Sequence, residues 1–241
     1  MTRSLTLALC TVVALTLSGC GSADDTDTTV DPTGTVTTTV PEPTDTEEPT
    51  VTGEPTDDGF MAPTDVPAEA MLPAEALEAP EGPREETEGV AAWLISETCE
   101  AGTPESASAM RTVVQGDGMY EAPVGIQQVA AFPDVQAAVD EADRLRSVAT
   151  QCSELAAEEQ TGYFVEDVAV GAQGLGLVTD YYGVGDDTAL GAYVAVTRRG
   201  NAVTLVGISG GEHNVGKARE IATDDAQEAW NQLCRYDSEG C

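Results

Sequence analysis

The stretch Val124 to Cys152 constrains the fold more than any other part of the chain: Val-Gly-Ile-Gln-Gln-Val-Ala-Ala-Phe-Pro-Asp-Val-Gln-Ala-Ala-Val-Asp-Glu-Ala-Asp-Arg-Leu-Arg-Ser-Val-Ala-Thr-Gln-Cys. Ile126 to Phe132 reads as a strand, Pro133 and Asp134 break it, and Asp134 is placed to cap a helix. Val135, Ala138, Val139, Ala142, Leu145, Val148, Ala149 and Cys152 then recur at helical spacing, which predicts one apolar face for burial against a sheet. Acids come early on this helix and Arg144 and Arg146 later, an order that complements the helix dipole.

The remaining strand signals supply that sheet. Thr112 to Gln115, a Gly116-Asp117-Gly118 turn and Met119-Tyr120 read as a hairpin start. Tyr163 to Val170, Leu175 to Tyr182, Ala192 to Thr197 and Ala202 to Ser209 read as strands, the last two joined by a tight turn at Gly200-Asn201. From about Gly216, the residues Ala218, Ile221, Ala222, Ala229, Trp230, Leu233 and Cys234 repeat at helical spacing. Upstream, Met71 to Leu77 reads as a short helical turn, Glu78 to Gly89 as acidic coil, and Val90 to Ile95 as the start of the core. The expected fold is α+β: a largely antiparallel sheet packed with two amphipathic helices, two disulfides, and a single domain after a linker.

The N-terminus reads as an address. Arg3 precedes an apolar run from Leu5 to Leu17, too short for a membrane span, and Leu17-Ser18-Gly19-Cys20 resembles a bacterial lipobox. Residues 1–19 are then a lipoprotein signal peptide and Cys20 carries acyl chains that hold the protein on the outer side of the cell membrane. Residues 20–69 are rich in Thr, Pro and acids without apolar periodicity, the composition of an extended linker. Residues 70–241 form the expected domain.

Charge excludes whole classes of partner. Ten Lys and Arg face 43 Asp and Glu, a net charge of −33, so nucleic acid and anionic lipid headgroups are repelled. The acidity extends into the domain and suits a solvated surface. Of six cysteines, Cys10 leaves with the signal peptide and Cys20 takes lipid. Cys99, Cys152, Cys234 and Cys241 remain in an oxidising compartment and allow three pairings; Cys99–Cys152 with Cys234–Cys241 is favoured, because the six residues between the last two can fold back. Zinc is disfavoured by a solitary His213 and the lack of a Cys-x-x-Cys pair.

No motif predicts catalysis or a cofactor. Gly211-Glu-His-Asn-Val-Gly216-Lys217 has phosphate-loop spacing between a strand and a helix, but Ala218 replaces the magnesium-binding hydroxyl and Glu212 would oppose phosphate, so a plain connection is expected. Gly171, Gly174 and Gly176 suggest a turn or bulge. Asp180, Asp186 and Asp187 lack calcium-loop spacing; Tyr181, Tyr182 and Tyr193 suit packing better than a shared pocket; His213 has no nucleophile in a recognisable setting.

Taken together, Gln128-Val-Ala-Ala-Phe-Pro-Asp with its Ala-rich helix and Cys152, the early Met71-Leu72-Pro73 and the hairpin Val194 to Val206 resemble the PknH-like extracellular sensor domain of actinobacteria. The resemblance implies an antiparallel sheet with two helices, a cleft for an unidentified small-molecule or envelope ligand, and a disulfide from the helix cysteine to an upstream one, which Cys99 can supply. The C-terminal Cys234–Cys241 pair departs from the family pattern. With no kinase segment present, a protein partner would carry any signal. A structural or interaction protein of the envelope is the rival expectation.

Overall fold

In a computed structural model that describes residues 65–241 except 97, 120, 121 and 156–159, seven strands form one sheet. They are β1 (Arg84–Glu88), β2 (Ala109–Gln115), β3 (Pro123–Ala131), β4 (Gly162–Asp167), β5 (Ala172–Asp180), β6 (Gly191–Arg199) and β7 (Ala202–Gly210). Their order is β1-β2-β3-β7-β6-β5-β4 and every neighbouring pair is antiparallel. Helix α1 (Val135–Leu155) covers one face and α2 (Val215–Gln232) the other. Cys10, Cys20, the signal segment and the linker up to residue 64 lie outside the described residues. Among the described residues, no helix is long and apolar enough to cross a membrane.

Two cores follow from the period of two along each strand. Val129, Tyr193, Ala195, Val206 and Ile208 meet the alanines 218, 222, 226 and 229 of α2. Their strand neighbours Ala130, Val194, Val196, Val203 and Leu205 meet Ala138, Ala142, Leu145 and Ala149 of α1. With both faces covered, β6 and β7 are apolar almost throughout, as sheets buried on both sides require. The predicted class, helices and turn at Gly200-Asn201 are all present, and so are the disulfides Cys99–Cys152 and Cys234–Cys241, with Cα separations of 5.8 and 4.7 Å.

Three local expectations are corrected. Arg84 to Glu88, expected as coil, is edge strand β1, which pairs through its backbone with β2, exposes its acids and tucks Arg84 against Leu72 O and Gln115. Within Met71 to Leu77 the expected turn narrows to residues 73–76, closed by Ala76 N donating to Pro73 O at 3.1 Å; a short 3-10 turn sits earlier, at Ala68–Ala70, and side chains satisfy backbone groups on either side. The Leu72 carbonyl accepts from Arg84 Nη2 at 2.9 Å, and the Ala74, Leu77 and Glu78 carbonyls accept from Gln115 Nε2. On α1, Asp134 caps as expected, accepting from Ala137 N at 2.8 Å, but Val135 is 50% exposed. Glu141 takes a place in the buried face instead, its carboxylate accepting from Trp93 Nε1 at 2.6 Å and from Arg144.

Candidate functional site

A groove of about 570 Å³ lies at the end of the sheet where the β6–β7 turn, the start of β5, the start of α1, the end of α2 and the C-terminal segment converge. Arg198, Trp230, Gln227, Asp237 and Val135 lie in its walls. The exposure of Val135 is thereby explained: it faces the groove rather than the core.

The walls are held by contacts between distant parts of the chain. Trp230 Nε1 donates to the Arg198 carbonyl at 3.2 Å, and the Arg199 guanidinium lies 4.2 Å from the Trp230 ring centroid, a cation–π distance. Arg199 also donates to the Trp230 and Asn231 carbonyls and pairs with Asp237 at 3.4 Å, so it closes the C-terminal end of α2, where a cation is favoured. The Asn201 N–H donates to the Tyr236 carbonyl, which seats the C-terminal segment on the hairpin; the Cys234–Cys241 bond closes that segment beside the groove.

The floor is built on an irregular stretch of β5. Its pairing with β6 shifts register between Ala172 and Leu175, as the glycines 171, 174 and 176 suggested. Gly171 has φ +60°, and a Cβ there would collide with Trp230 Nε1 and Thr197 Oγ1. Gln173 adopts φ +56°, a left-handed conformation uncommon for a residue with a side chain. It is held by two bonds to α1, donating to the Val139 carbonyl at 3.3 Å and to Asp143 Oδ1 at 2.7 Å, and it accepts from Arg198 Nε at 2.6 Å.

The other residues considered from sequence do not gather at one site: Tyr193 and Asp187 are joined through Glu166 and Arg219, while Asp180 holds the loop of Tyr182. Tyr193 is buried and donates to Glu166 Oε1 at 2.7 Å; burial, then the neighbouring carboxylate, pushes its phenol well above the usual range. Glu166 also pairs with Arg219 at 2.8 Å. Tyr181 and Tyr182 are exposed in the β5–β6 connection, remote in role from Tyr193. Asp180 is fully buried and accepts from the N–H groups of Tyr182, Gly183 and Gly185, bracing that loop. Asp187 pairs with Arg219 and Asp186 accepts from Thr188 N, so each aspartate has its own task. Among the described residues no three His, Cys, Asp or Glu are grouped to hold a metal.

The phosphate-loop spacing at Gly211 to Lys217 is occupied by the fold itself. Val215 N donates to Ala189 O, Gly216 N to Asp187 O, and Lys217 N to the capping Asn214 Oδ1. Three N–H groups at the start of α2 that could face a phosphate are thus already used. His213 Nε2 lies 3.5 Å from Glu78 Oε2 and has no hydrogen-bond partner among the described residues. Sequence reasoning saw Arg198-Arg199 only as a turn flank and Trp230 only as helix face. The signal that was there is scarcity: two adjacent arginines in a chain with ten basic residues.

The geometry defines an antiparallel α+β domain with a groove of mixed polarity at one sheet end. No family model matches the sequence, and no curated protein matches it. Among solved structures it is similar to the extracellular domain of PknH from Mycobacterium tuberculosis, at 15% identity and a TM-score of 0.37, over 63% of this chain and 84% of that one.

Proposed function

We propose that the chain is a lipoprotein anchored through Cys20 on the extracytoplasmic side of the cell membrane, with a non-catalytic ligand-binding domain of the sensor kind. The observation that carries this reading is the end groove, whose size falls within the range of small-molecule sites and whose walls combine an aromatic ring with a few fixed polar groups. Two disulfides support an oxidising compartment. The linker holds the domain off the membrane, and a protein partner carries the signal onward.

A second reading, an interaction protein of the envelope, is favoured by one feature. Phe164, Tyr182, Val184 and Leu190 are 41–67% exposed around the Asp180-braced loop, and exposed apolar residues on a rigid support suit protein docking.

Two measurements test the proposal. Cys20→Ser should move the protein from the membrane fraction to the medium; retention on the membrane would remove the lipid anchor. Titrating a small-molecule extract of the host envelope into the full chain should change Trp230 emission, with Trp230→Phe as the blank. No change, together with an envelope protein whose binding is lost in Tyr182→Ser, would establish the second reading instead.

A further inference from the structure

We propose that the groove recognises a ligand that presents one carboxylate to the Arg198 guanidinium and an apolar body to Val135 and Trp230. This rests on the groove being the ligand site and names the class of ligand.

The first observation is an ion-pair anomaly. Arg3 lies outside the described residues; of the other nine Lys and Arg, seven have a carboxylate within 4.0 Å. Among the described residues only Arg198 and Arg235 lack one, and Arg235 is exposed. Arg198 is half-buried in a groove of a chain with 43 acids, yet its two bonds go to neutral acceptors: Nε to Gln173 Oε1 at 2.6 Å and Nη1 to the Gly200 carbonyl at 2.8 Å.

The second observation is how that state is maintained. Asp143 is close enough to bond Gln173, and Gln173 stands between it and Arg198. A neutral amide thus separates a cation from an acid that would otherwise neutralise it. Gln173 does this from a left-handed backbone inside the β5 bulge, a conformation that surrounding structure must enforce. A mere brace for the β6–β7 turn would need only the bond to Gly200. The two bonds instead fix the guanidinium plane and leave Nη2 without a partner among the described residues, a charged donor for a carboxylate oxygen.

The third observation limits the charge. Arg199 beside it is taken by Asp237 and by the carbonyls of Trp230 and Asn231, so the groove offers one cation and keeps one carboxylate in its wall. A polyanion would meet Asp237 and the net −33 of the chain. One carboxylate meets Arg198 alone, and the side chains of Val135 and Trp230 give its body an apolar surface.

The test follows the Trp230 indole N–H resonance in the full chain, titrated with N-acetylphenylalanine, its uncharged amide, and inorganic phosphate. The expected result is a saturable shift with the carboxylate and at least tenfold weaker binding of the amide and of phosphate. Arg198→Gln should lose at least tenfold for the carboxylate and nothing for the amide. Should Arg198→Gln fail to fold, Arg198→Lys, which keeps the charge but not the planar guanidinium held by Gln173 and Gly200, should lose severalfold. Equal binding of acid and amide, or acid binding indifferent to Arg198, would overturn the carboxylate assignment while leaving the groove a ligand site. Phosphate binding as tight as the acid would overturn it in favour of general anion binding. No saturable response to any probe would also overturn it, and the envelope-extract titration would then decide the groove separately.

Discussion

Gln127 and Gln128 are neighbours in β3 whose amides leave opposite faces of the sheet and make the same pair of bonds to two different arms. Gln127 Oε1 accepts from Leu72 N at 2.6 Å and its Nε2 donates to Ala70 O at 3.5 Å. Gln128 Oε1 accepts from Leu94 N at 2.7 Å and its Nε2 donates to Ala92 O at 3.0 Å and to Thr112 Oγ1 at 3.1 Å. Each amide thus serves its arm through one N–H and the carbonyl two residues earlier. Both are essentially inaccessible to water, so each substitutes for solvent that the arm's backbone has lost.

Gln128→Leu should therefore lower unfolding free energy by about 2–4 kcal/mol, since buried backbone groups are left unpaired. Hydrogen exchange should rise in residues 90–96 and not in 65–78. Gln127→Leu should show the reverse pattern. A shared loosening of both arms would argue against independent clamps.

The two disulfides should differ in weight. Removing Cys99–Cys152 as a double serine variant opens a loop of 53 residues and should cost about 4 kcal/mol; removing Cys234–Cys241, a separation of 7, should cost about 2.4 kcal/mol. Chemical denaturation of the two variants checks the order. Only the second should also broaden the Trp230 resonance, because only that bond closes the groove wall.

Gly171→Ala should destabilise by about 3 kcal/mol, combining a left-handed backbone with overpacking. The added methyl meets Trp230 Nε1, so the bond to the Arg198 carbonyl should be lost and the indole N–H shift with it. Gly240→Ala, at a positive φ with open space around it, should cost far less and leave Trp230 unmoved.

Asp225 gives a pH dependence. It lies in the buried face of α2, and burial, then Glu228, Glu78 and Asp224, push its carboxyl up to about 7. Its folded pKa thus exceeds the unfolded value of about 3.9, so the folded state binds the extra proton between them. The contribution of the protonated form is complete below about pH 4 and is lost as pH rises through about 7. Asp225→Asn should melt several degrees higher than the parent at pH 8, and the gap should close toward pH 4. A constant gap across that range would contradict the raised pKa.

What the sequence made legible is what periodicity encodes. Ala138, Ala142, Leu145 and Ala149 repeat on one face and are buried together, and β6 and β7 are runs of apolar residues around a glycine turn. Strand β1 left no such trace, because an edge strand of Arg-Glu-Glu-Thr-Glu buries little and is joined to β2 by its backbone and by polar side chains rather than apolar ones. Met71 to Leu77 holds the single turn its residues suggested, at 73–76, but no more, because Gln127, Gln115 and Arg84 supply its other bonds from far along the chain. Val135 fits the helical stripe yet sits at the helix end, beyond the edge of the sheet it was expected to cover. The groove was hidden by distance, since Arg198, Trp230 and Asp237 meet only after three elements close on one sheet end.

The most direct measurement compares the two indole N–H resonances of the full chain before and after adding a small-molecule extract of the host envelope. Trp93 is buried against Glu141 on the α1 side and serves as the internal control, while Trp230 lies in the groove wall. Ligand binding in the groove predicts a saturable shift of Trp230 with Trp93 unmoved. Two unmoved indoles at saturating extract, or a response confined to Phe164 and Tyr182, would contradict it.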